Sequence, residues 1–263
     1  MILQLNEFRM AYQDEGSGTP VLLIHGYPLN RQMWQPQMEG LSDCARLIAP
    51  DLRGHGDSEA VEGAYTMEAH AQDCYELLEK LGISQNAVVC GLSMGGYIAL
   101  AFYRLFPHRV KSLVLVSTRA AADSPEARAN RESSIRAAGE KGVRFIAESM
   151  AGRLLSAQTM RLQPHLNQEL IELMSHNSLR AVQGDLDGMK VRPDSSPMLS
   201  SFLVPVLIIH GTEDTIVPLS EAQQMQSLIP QAQLCAIPEA AHLPNVEQTQ
   251  SFNHCLRAFL QPF

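Results

Sequence analysis

The sequence predicts an α/β protein with a mostly parallel, twisted sheet that is flanked by helices. Short apolar segments typical of strands alternate along the chain with amphipathic segments typical of helices. Several strand-like segments are apolar throughout, as expected for strands that are covered on both faces of a parallel sheet. The chain has 263 residues, which is enough for one well-packed domain with an insertion.

The predicted elements follow one another in a regular order. Residues 2–12, with a turn at 15–18, predict an antiparallel hairpin that leads into the sheet. Between the second and third main strands, the apolar residues of segment 66–81 recur at helical spacing, and this pattern stops at Gly82. Such alternation predicts right-handed crossovers between parallel strands. The predicted main strands are Val21–His25, Arg46–Pro50, Ala87–Cys90, Ser112–Ser117, Val204–His210 and Gln233–Ile237.

The connection between the fourth and fifth main strands is unusually long. Residues 119–202 contain no convincing strand, although one helix is enough for such a crossover. We therefore predict that residues 1–118 and 203–263 form the core and that residues 119–202 form a helical lid, inserted before the penultimate strand. An ordinary run of extra surface helices is the alternative.

A strand, a G-x-S-x-G sequence and a helix-forming run follow one another directly from Val88 to Phe106. This order predicts a nucleophile elbow, a tight turn that exposes the hydroxyl of Ser93. Gly91 and Gly95 fit the turn because side chains at these two positions would obstruct it. The positive end of the following helix favours negative charge beside the serine.

A serine hydroxyl needs an adjacent base, which is in turn held by a third group. In this architecture the acid and then the base follow the serine along the chain. His242 comes directly after the last predicted strand and is the candidate base, whereas His254 lies within the final amphipathic helix. Glu213 and Asp214 both follow the penultimate strand, and we predict that Asp214 is the acid.

Acyl transfer also needs hydrogen-bond donors for the oxyanion. One predicted donor is the backbone N–H of Met94, the residue after the serine. The loop after the first main strand supplies the other, for which Tyr27 N–H is the candidate. His25 in the same loop is interpreted as a bracing residue.

Five segments in this order resemble the motifs of α/β-hydrolase-fold enzymes over nearly the whole chain. They are His25–Pro28, Asp51–Ser58, Gly91–Gly96, Gly211–Asp214 and Ala241–His242. Within that family the chain looks most like small carboxylesterases and oxoadipate enol-lactone hydrolases. The resemblance implies a structural role for the Asp51–Ser58 loop. The chain departs from the family in having Ala240-Ala241, where a glycine often precedes the histidine.

The resemblance implies a serine hydrolase that cleaves a small ester or lactone through an acyl-enzyme, with no metal or organic cofactor. A C–C bond hydrolase of the meta-cleavage type, acting next to a ketone, is one alternative, and a low-turnover ligand receptor on the same fold is another. The substrate pocket is predicted to be mainly apolar, and Arg119 could pair with a substrate carboxylate. The candidate pocket residues are Trp34, Arg119, Met150, Leu154 and Met174.

The composition of the chain argues against some classes of binding partner and some cellular locations. The net charge is −8 and no dense Lys/Arg run occurs, which argues against nucleic-acid binding. The start of the chain lacks the pattern of a signal peptide, and the apolar runs are too short to span a bilayer. The five cysteines lack any C-x-x-C spacing, which argues against a disulfide framework or a zinc site. Cys90 and Cys235 are interpreted as small buried hydrophobes, and the predicted location is the cytoplasm.

Overall fold

The strands of the protein lie in one mixed sheet. The computed structural model describes residues 1–261, and within this range the strands are β1 (Ile2–Gln4), β2 (Arg9–Glu15), β3 (Pro20–Ile24), β4 (Arg46–Pro50), β5 (Ala87–Leu92), β6 (Val110–Val116), β7 (Val206–Gly211) and β8 (Ala232–Ile237). Their order across the sheet is β1-β2-β4-β3-β5-β6-β7-β8. The six strands from β4 to β8 are parallel to one another, and β2 pairs antiparallel with both β1 and β4. The predicted, mostly parallel sheet is therefore confirmed.

The helices occupy the connections between the strands. They are α1 (Gln35–Leu41), α2 (Met67–Lys80), α3 (Met94–Leu105), α4 (Pro125–Lys141), α5 (Val143–Leu154), α6 (Ala157–Leu162), α7 (Pro164–Ser175), α8 (Leu179–Val191), α9 (Leu219–Leu228), α10 (Pro244–Glu247) and α11 (Thr249–Leu260). Helix α2 begins where the side chain of Thr66 accepts a hydrogen bond from Ala69 N–H, so Thr66 is its N-cap.

The N-terminal hairpin differs in one detail from the prediction. Strands β1 and β2 pair in the register Ile2 with Ala11 and Gln4 with Arg9, so their connection is residues 5–8. The Gly-containing segment 16–18 instead connects β2 to β3, and Gly16 and Gly18 both have positive φ there. A glycine-rich turn marks a change of chain direction, but the sequence alone does not say which two strands it joins.

The sheet has a hydrophobic core on each of its two faces. Every residue of β3, β5 and β7 is buried, and alternate side chains of β5 enter different clusters: Val89 joins one and Val88 the other. Because the central strands are parallel, the loops that follow β3, β5, β7 and β8 emerge at the same edge of the sheet. These loops carry the candidate nucleophile, acid, base and oxyanion-loop residues.

Helices α4 to α8 lie between β6 and β7 and form an all-helical insertion. A buried cluster joins this insertion to the core: Asp185 of α8 lies 2.8 Å from His70 Nε2 of α2 and 3.2 Å from His55 Nε2. All three side chains are fully buried. Burial by itself raises the pKa of Asp185, but the charges of the two histidines and their hydrogen bonds hold this pKa well below its usual value.

Replacing Asp185 with asparagine is expected to lower the free energy of unfolding by about 3 kcal/mol near neutral pH, because it breaks a buried ionic contact. Burial is the largest single effect and lowers the pKa of His55, but the charge and hydrogen bond of Asp185, with the carbonyl of Arg53 and the charge of Asp51, together raise this pKa above its usual value. The stabilisation from His55 is therefore full below about pH 6.5 and is lost as the pH rises through its raised pKa. The contribution of Asp185, whose pKa is depressed, is lost only as the pH falls below about 4. Urea unfolding of both proteins at several pH values measures the difference.

Asp187→Asn is the matched control for this prediction. Asp187 lies on the same helix, but it is exposed and pairs with Lys190, so its loss should change stability by less than about 0.5 kcal/mol. A stability difference between wild type and Asp185→Asn that is the same at all pH values would contradict the assignment of the ionic contact.

The structure corrects the interpretation of Cys235. This residue, on the edge strand β8, forms a disulfide with Cys255 of α11, so it is not a free buried hydrophobe. Cys90 is free and buried, as expected, and Cys74 and Cys44 are also free. The cysteine spacing does not show this pair, because strand and helix come together only in the fold. The cytoplasmic location stays a prediction.

The predicted division of the chain places residues 203–263 in the core. Of these, Pro262 and Phe263 lie outside the described residues. Among the helices of residues 1–261, none has both the length and the apolar character needed to cross a membrane.

Candidate active site

Ser93 sits between β5 and α3 in a conformation that L-residues rarely adopt, with φ 56° and ψ −112°. Several hydrogen bonds hold it there. Its N–H donates to the carbonyl of Val116 on β6 at 2.8 Å, and its own carbonyl accepts from Gly96 N–H at 2.9 Å and from the Thr118 hydroxyl at 2.8 Å. Backbone strain of this kind persists only where the surroundings over-determine it, and it concentrates at functional sites.

The glycines around Ser93 are required by contact between backbones. A Cβ on Gly91 would overlap the carbonyl of Gly95, and a Cβ on Gly95 would overlap the carbonyls of Ile24 and His25. The turn is thus packed against the end of β3 with no room for side chains. This geometry agrees with the strand, tight turn and helix that the G-x-S-x-G sequence predicts.

His242 and Asp214 lie together at the same edge of the sheet. Asp214 follows β7, His242 follows β8, and His242 Nδ1 is 2.7 Å from Asp214 Oδ2. Both residues are buried. The other carboxylate oxygen of Asp214 accepts the N–H groups of Ile216 at 2.8 Å and Val217 at 3.0 Å. The carboxylate is therefore fixed from two sides.

These contacts favour the ionised form of Asp214 and fix the tautomer of His242. Burial alone would raise the pKa of Asp214, but the charge of His242, its hydrogen bond and the N–H of Val217 leave this pKa below its usual value. An ionised carboxylate only accepts hydrogen bonds, so the proton of the neutral imidazole lies on Nδ1 and His242 Nε2 is free to accept. His210, whose Nε2 donates to the carbonyl of Val217 at 2.8 Å, lies 3.5 Å from Asp214 and is fully buried.

The loop after β3 lies directly against the serine turn. A Cβ on Gly26 would be 3.1 Å from the carbonyl oxygen of Leu92 and 3.4 Å from Cβ of Ser93. His25 is buried in this loop, where its Nε2 accepts the N–H of Leu52 at 3.0 Å and its Nδ1 lies 3.0 Å from the carbonyl of Gly26. Burial, followed by the charge of His55, lowers the pKa of His25 well below its usual value. The two candidate oxyanion donors lie on either side of this contact. Tyr27 follows Gly26 in the loop, and Met94 is the first residue of α3.

Most of the predicted pocket residues are packed inside the protein. Trp34, Leu154 and Met174 are each 0 % exposed, and the Trp34 ring packs at 6.2 Å from that of Phe252. In this conformation these three side chains have no surface to offer to a substrate, so the structure gives no support to their predicted role. Met150 is half-buried.

Arg119 already has a carboxylate neighbour within the protein. Its Nη1 lies 3.8 Å from Glu221 Oε1 on α9, and the two side chains are about equally exposed, at 27 % and 25 %. The predicted pairing of Arg119 with a substrate carboxylate would therefore compete with Glu221. That pairing stays a prediction.

Two contacts beside His242 were not foreseen from the sequence. The carbonyl of Leu154, at the end of α5, accepts the N–H of His242 at 3.1 Å. The buried carboxylate of Glu247 accepts the N–H of Ala241 at 2.7 Å. Neither has a sequence signature, because a backbone carbonyl carries none and an isolated glutamate is ordinary at a surface.

Within residues 1–261 no cluster of three or more His, Cys, Asp or Glu side chains could hold a metal ion.

A mostly parallel sheet with a strained serine between a central strand and a helix is the architecture of the α/β hydrolases. The alpha/beta hydrolase fold family model matches residues 19–249, so the chain belongs to that family.

Relatives of the chain include hydrolases with named activities. It is 31 % identical over 240 residues to 3-oxoadipate enol-lactonase 2 of Acinetobacter baylyi, a match that covers 89 % of this chain and 85 % of the relative. A thermophilic esterase from Thermogutta terrifontis, solved with malate bound, is 39 % identical with a TM-score of 0.97, covering 100 % of this chain and 98 % of that one. The enol-lactonase from Burkholderia xenovorans LB400 is 26 % identical with a TM-score of 0.92, and the match covers 99 % and 100 % of the two chains.

Proposed function

We propose that the protein is a serine hydrolase that cleaves small carboxylic esters or lactones through an acyl-enzyme on Ser93. The observation that carries the proposal is the buried 2.7 Å contact between His242 and Asp214, at the sheet edge where Ser93 occupies its strained turn. The esterase and enol-lactonase relatives support ester and lactone substrates. The fold alone would not, because one fold hosts many chemistries.

In the first half-reaction, the Ser93 hydroxyl oxygen attacks the substrate carbonyl and His242 Nε2 takes the hydroxyl proton. Asp214 stabilises the imidazolium and keeps its ring in one orientation. The oxyanion of the tetrahedral intermediate accepts hydrogen bonds from the N–H groups of Met94 and Tyr27. Each such donor contributes about 3 kcal/mol of transition-state stabilisation. The C–O bond to the leaving group then breaks, and His242 gives the proton to the departing oxygen.

In the second half-reaction, His242 removes a proton from water, which attacks the acyl carbon. The bond to Ser93 breaks, the serine oxygen recovers a proton from His242, and the carboxylic acid leaves. The N-terminus of α3 favours the negative charge that develops in both steps. For a lactone, the alcohol released in the first half-reaction remains attached to the same molecule as the acid.

We further propose that residues 119–202 act as a lid over the core, 1–118 and 203–263. The support is the position of the insertion between β6 and β7 and its backbone contact with His242 through Leu154. The partner of the site would then be a small-molecule ester or lactone.

The proposal is tested by treating the purified protein with a fluorophosphonate, which reacts with activated serines, and mapping the adduct by mass spectrometry. Short p-nitrophenyl esters, a simple lactone and a vinylogous diketone are assayed alongside. Rapid labelling at Ser93 together with ester or lactone turnover is the expected result. Cleavage of the diketone alone would instead indicate a C–C bond hydrolase, and an unlabelled Ser93 would contradict the proposed mechanism.

A further inference from the structure

Glu247 is a buried carboxylate just beyond the candidate base. It is 6 % exposed and ends the short helix α10, five residues after His242. One oxygen accepts the N–H of Ala241 at 2.7 Å, and the other accepts the N–H of Ser156 at 2.6 Å. A single side chain thus binds the histidine loop and the helical insertion at once.

Two further hydrogen bonds run beside this carboxylate. The N–H of His242 donates to the carbonyl of Leu154 at 3.1 Å, and the hydroxyl of Ser156 donates to the carbonyl of Glu239 at 3.3 Å. Residues 154–156, where α5 ends and α6 begins, therefore face residues 239–242 along their length. We call these two segments, with Glu247 between them, the histidine strap.

The charge of Glu247 is held by N–H and hydroxyl groups. Within residues 1–261 no salt bridge reaches it. Burial raises the pKa of Glu247, and the N–H groups of Ser156 and Ala241 and the hydroxyl of Thr159 offset only part of that effect. A buried carboxylate without a cation is costly unless its hydrogen bonds are well made. Its two oxygens suit two converging backbone N–H groups, which an amide side chain could not both satisfy.

We propose that Glu247 is a positioning residue that fixes the backbone before His242 and so directs the imidazole toward Ser93. The inference rests on the proposed function. Its physical basis is that the Ala241 N–H and the His242 N–H are both anchored, one to Glu247 and the other to Leu154. The backbone of His242 is then fixed, and its imidazole ring extends from there to Asp214. The strap also makes the position of His242 depend on the docking of the insertion.

The test compares Glu247→Gln and Glu247→Asp with wild type. In Glu247→Gln the amide NH₂ faces one of the two backbone N–H groups, so one hydrogen bond is lost and a repulsion replaces it. We expect kcat for a p-nitrophenyl ester to fall about 10- to 100-fold with KM nearly unchanged, since small displacements of a catalytic group have effects of this size. Glu247→Asp keeps the charge but shortens the reach, and we expect a smaller loss. The aspartate variant also provides the test if Glu247→Gln does not fold.

A second readout needs no substrate. We expect the ring proton that His242 shares with Asp214 to give a far-downfield NMR line, which the His242→Gln variant identifies by its loss. We expect this line to shift or broaden in both Glu247 variants. Asp73→Asn is the matched control: Asp73 is equally buried, accepts two 2.7 Å hydrogen bonds from Arg53, and belongs to α2 of the core. It should lower stability while leaving the line and kcat as in wild type.

An unchanged line and a kcat within twofold of wild type in a folded Glu247→Gln protein would overturn the proposal. Equal losses of kcat in Asp73→Asn would also overturn it, because the effect would then follow from general destabilisation. The proposed function fails separately, if the wild-type protein neither reacts with fluorophosphonate nor cleaves esters. In that case the NMR comparison still decides the role of Glu247.

Discussion

Replacing Ser93 with alanine is expected to lower kcat by about 10⁶-fold for any ester that the wild-type protein cleaves. No covalent intermediate can form without the hydroxyl, and the remaining His242 and Asp214 then have no nucleophile to activate. Residual hydrolysis would come from the oxyanion donors and from substrate binding. Because alanine occupies the same backbone conformation and Ser93 makes its hydrogen bonds here through backbone atoms and not its side chain, we expect little change in Tm. Steady-state assays and thermal unfolding measure the two quantities.

Ser112→Ala is the control for this substitution. Ser112 lies on β6, is fully buried and has a hydroxyl without a hydrogen-bond partner among the described residues. Its loss should leave kcat and fluorophosphonate labelling unchanged. If Ser93→Ala retained more than a small percentage of wild-type kcat, another group would have to be the nucleophile.

Replacing Asp214 with asparagine is expected to lower kcat by about 10⁴-fold, the size of effect seen when the acid of a serine triad becomes an amide. The carboxylate accepts the Nδ1 proton of His242 at 2.7 Å. An amide can instead present its NH₂ to the ring, which favours the tautomer with the proton on Nε2. That tautomer cannot take a proton from Ser93. Slower fluorophosphonate labelling should accompany the loss of turnover, since labelling needs the same base.

Glu213→Gln distinguishes the two neighbouring carboxylates. Glu213 is exposed, and its N–H donates to the carbonyl of Ala240 at 2.9 Å, a bond that the substitution keeps. Its kcat should remain within twofold of wild type. A larger loss in Glu213→Gln than in Asp214→Asn would reverse the assignment of the acid.

The parts of the fold that were predictable are those in which one local rule dominates. Apolar runs such as Ala87–Leu92 are strands because both of their faces are covered, and the end of α2 follows from Gly82, which has positive φ. The serine turn was predictable because the sequence must supply glycine wherever backbones touch, as at Gly91 and Gly95. Because strands β3 to β8 are parallel, their carboxyl ends then lie at the same edge of the sheet.

The parts that were not predictable depend on contacts between distant segments. The Cys235–Cys255 disulfide joins a strand to a helix, and nothing in the spacing of the two cysteines indicates it. The burial of the Trp34 ring in the core likewise depends on a residue distant in the sequence, Phe252. A signal for Asp185 did exist. It occupies the same face of α8 as the buried Val182 and Met189, and a carboxylate on an apolar stripe needs a partner.

The hydrogen bond between Leu154 and His242 limits which segments of this protein can be exchanged with those of a relative. Exchanging the whole insertion with that of a relative, in order to transfer substrate preference, would also replace Leu154, whose carbonyl accepts the His242 N–H. We expect a graft that joins donor helices before residue 154, and resumes the native chain there, to keep the hydrogen bond between the Leu154 carbonyl and the His242 N–H. We therefore expect residues 154–156 to be a suitable crossover point for chimaeras between members of the family.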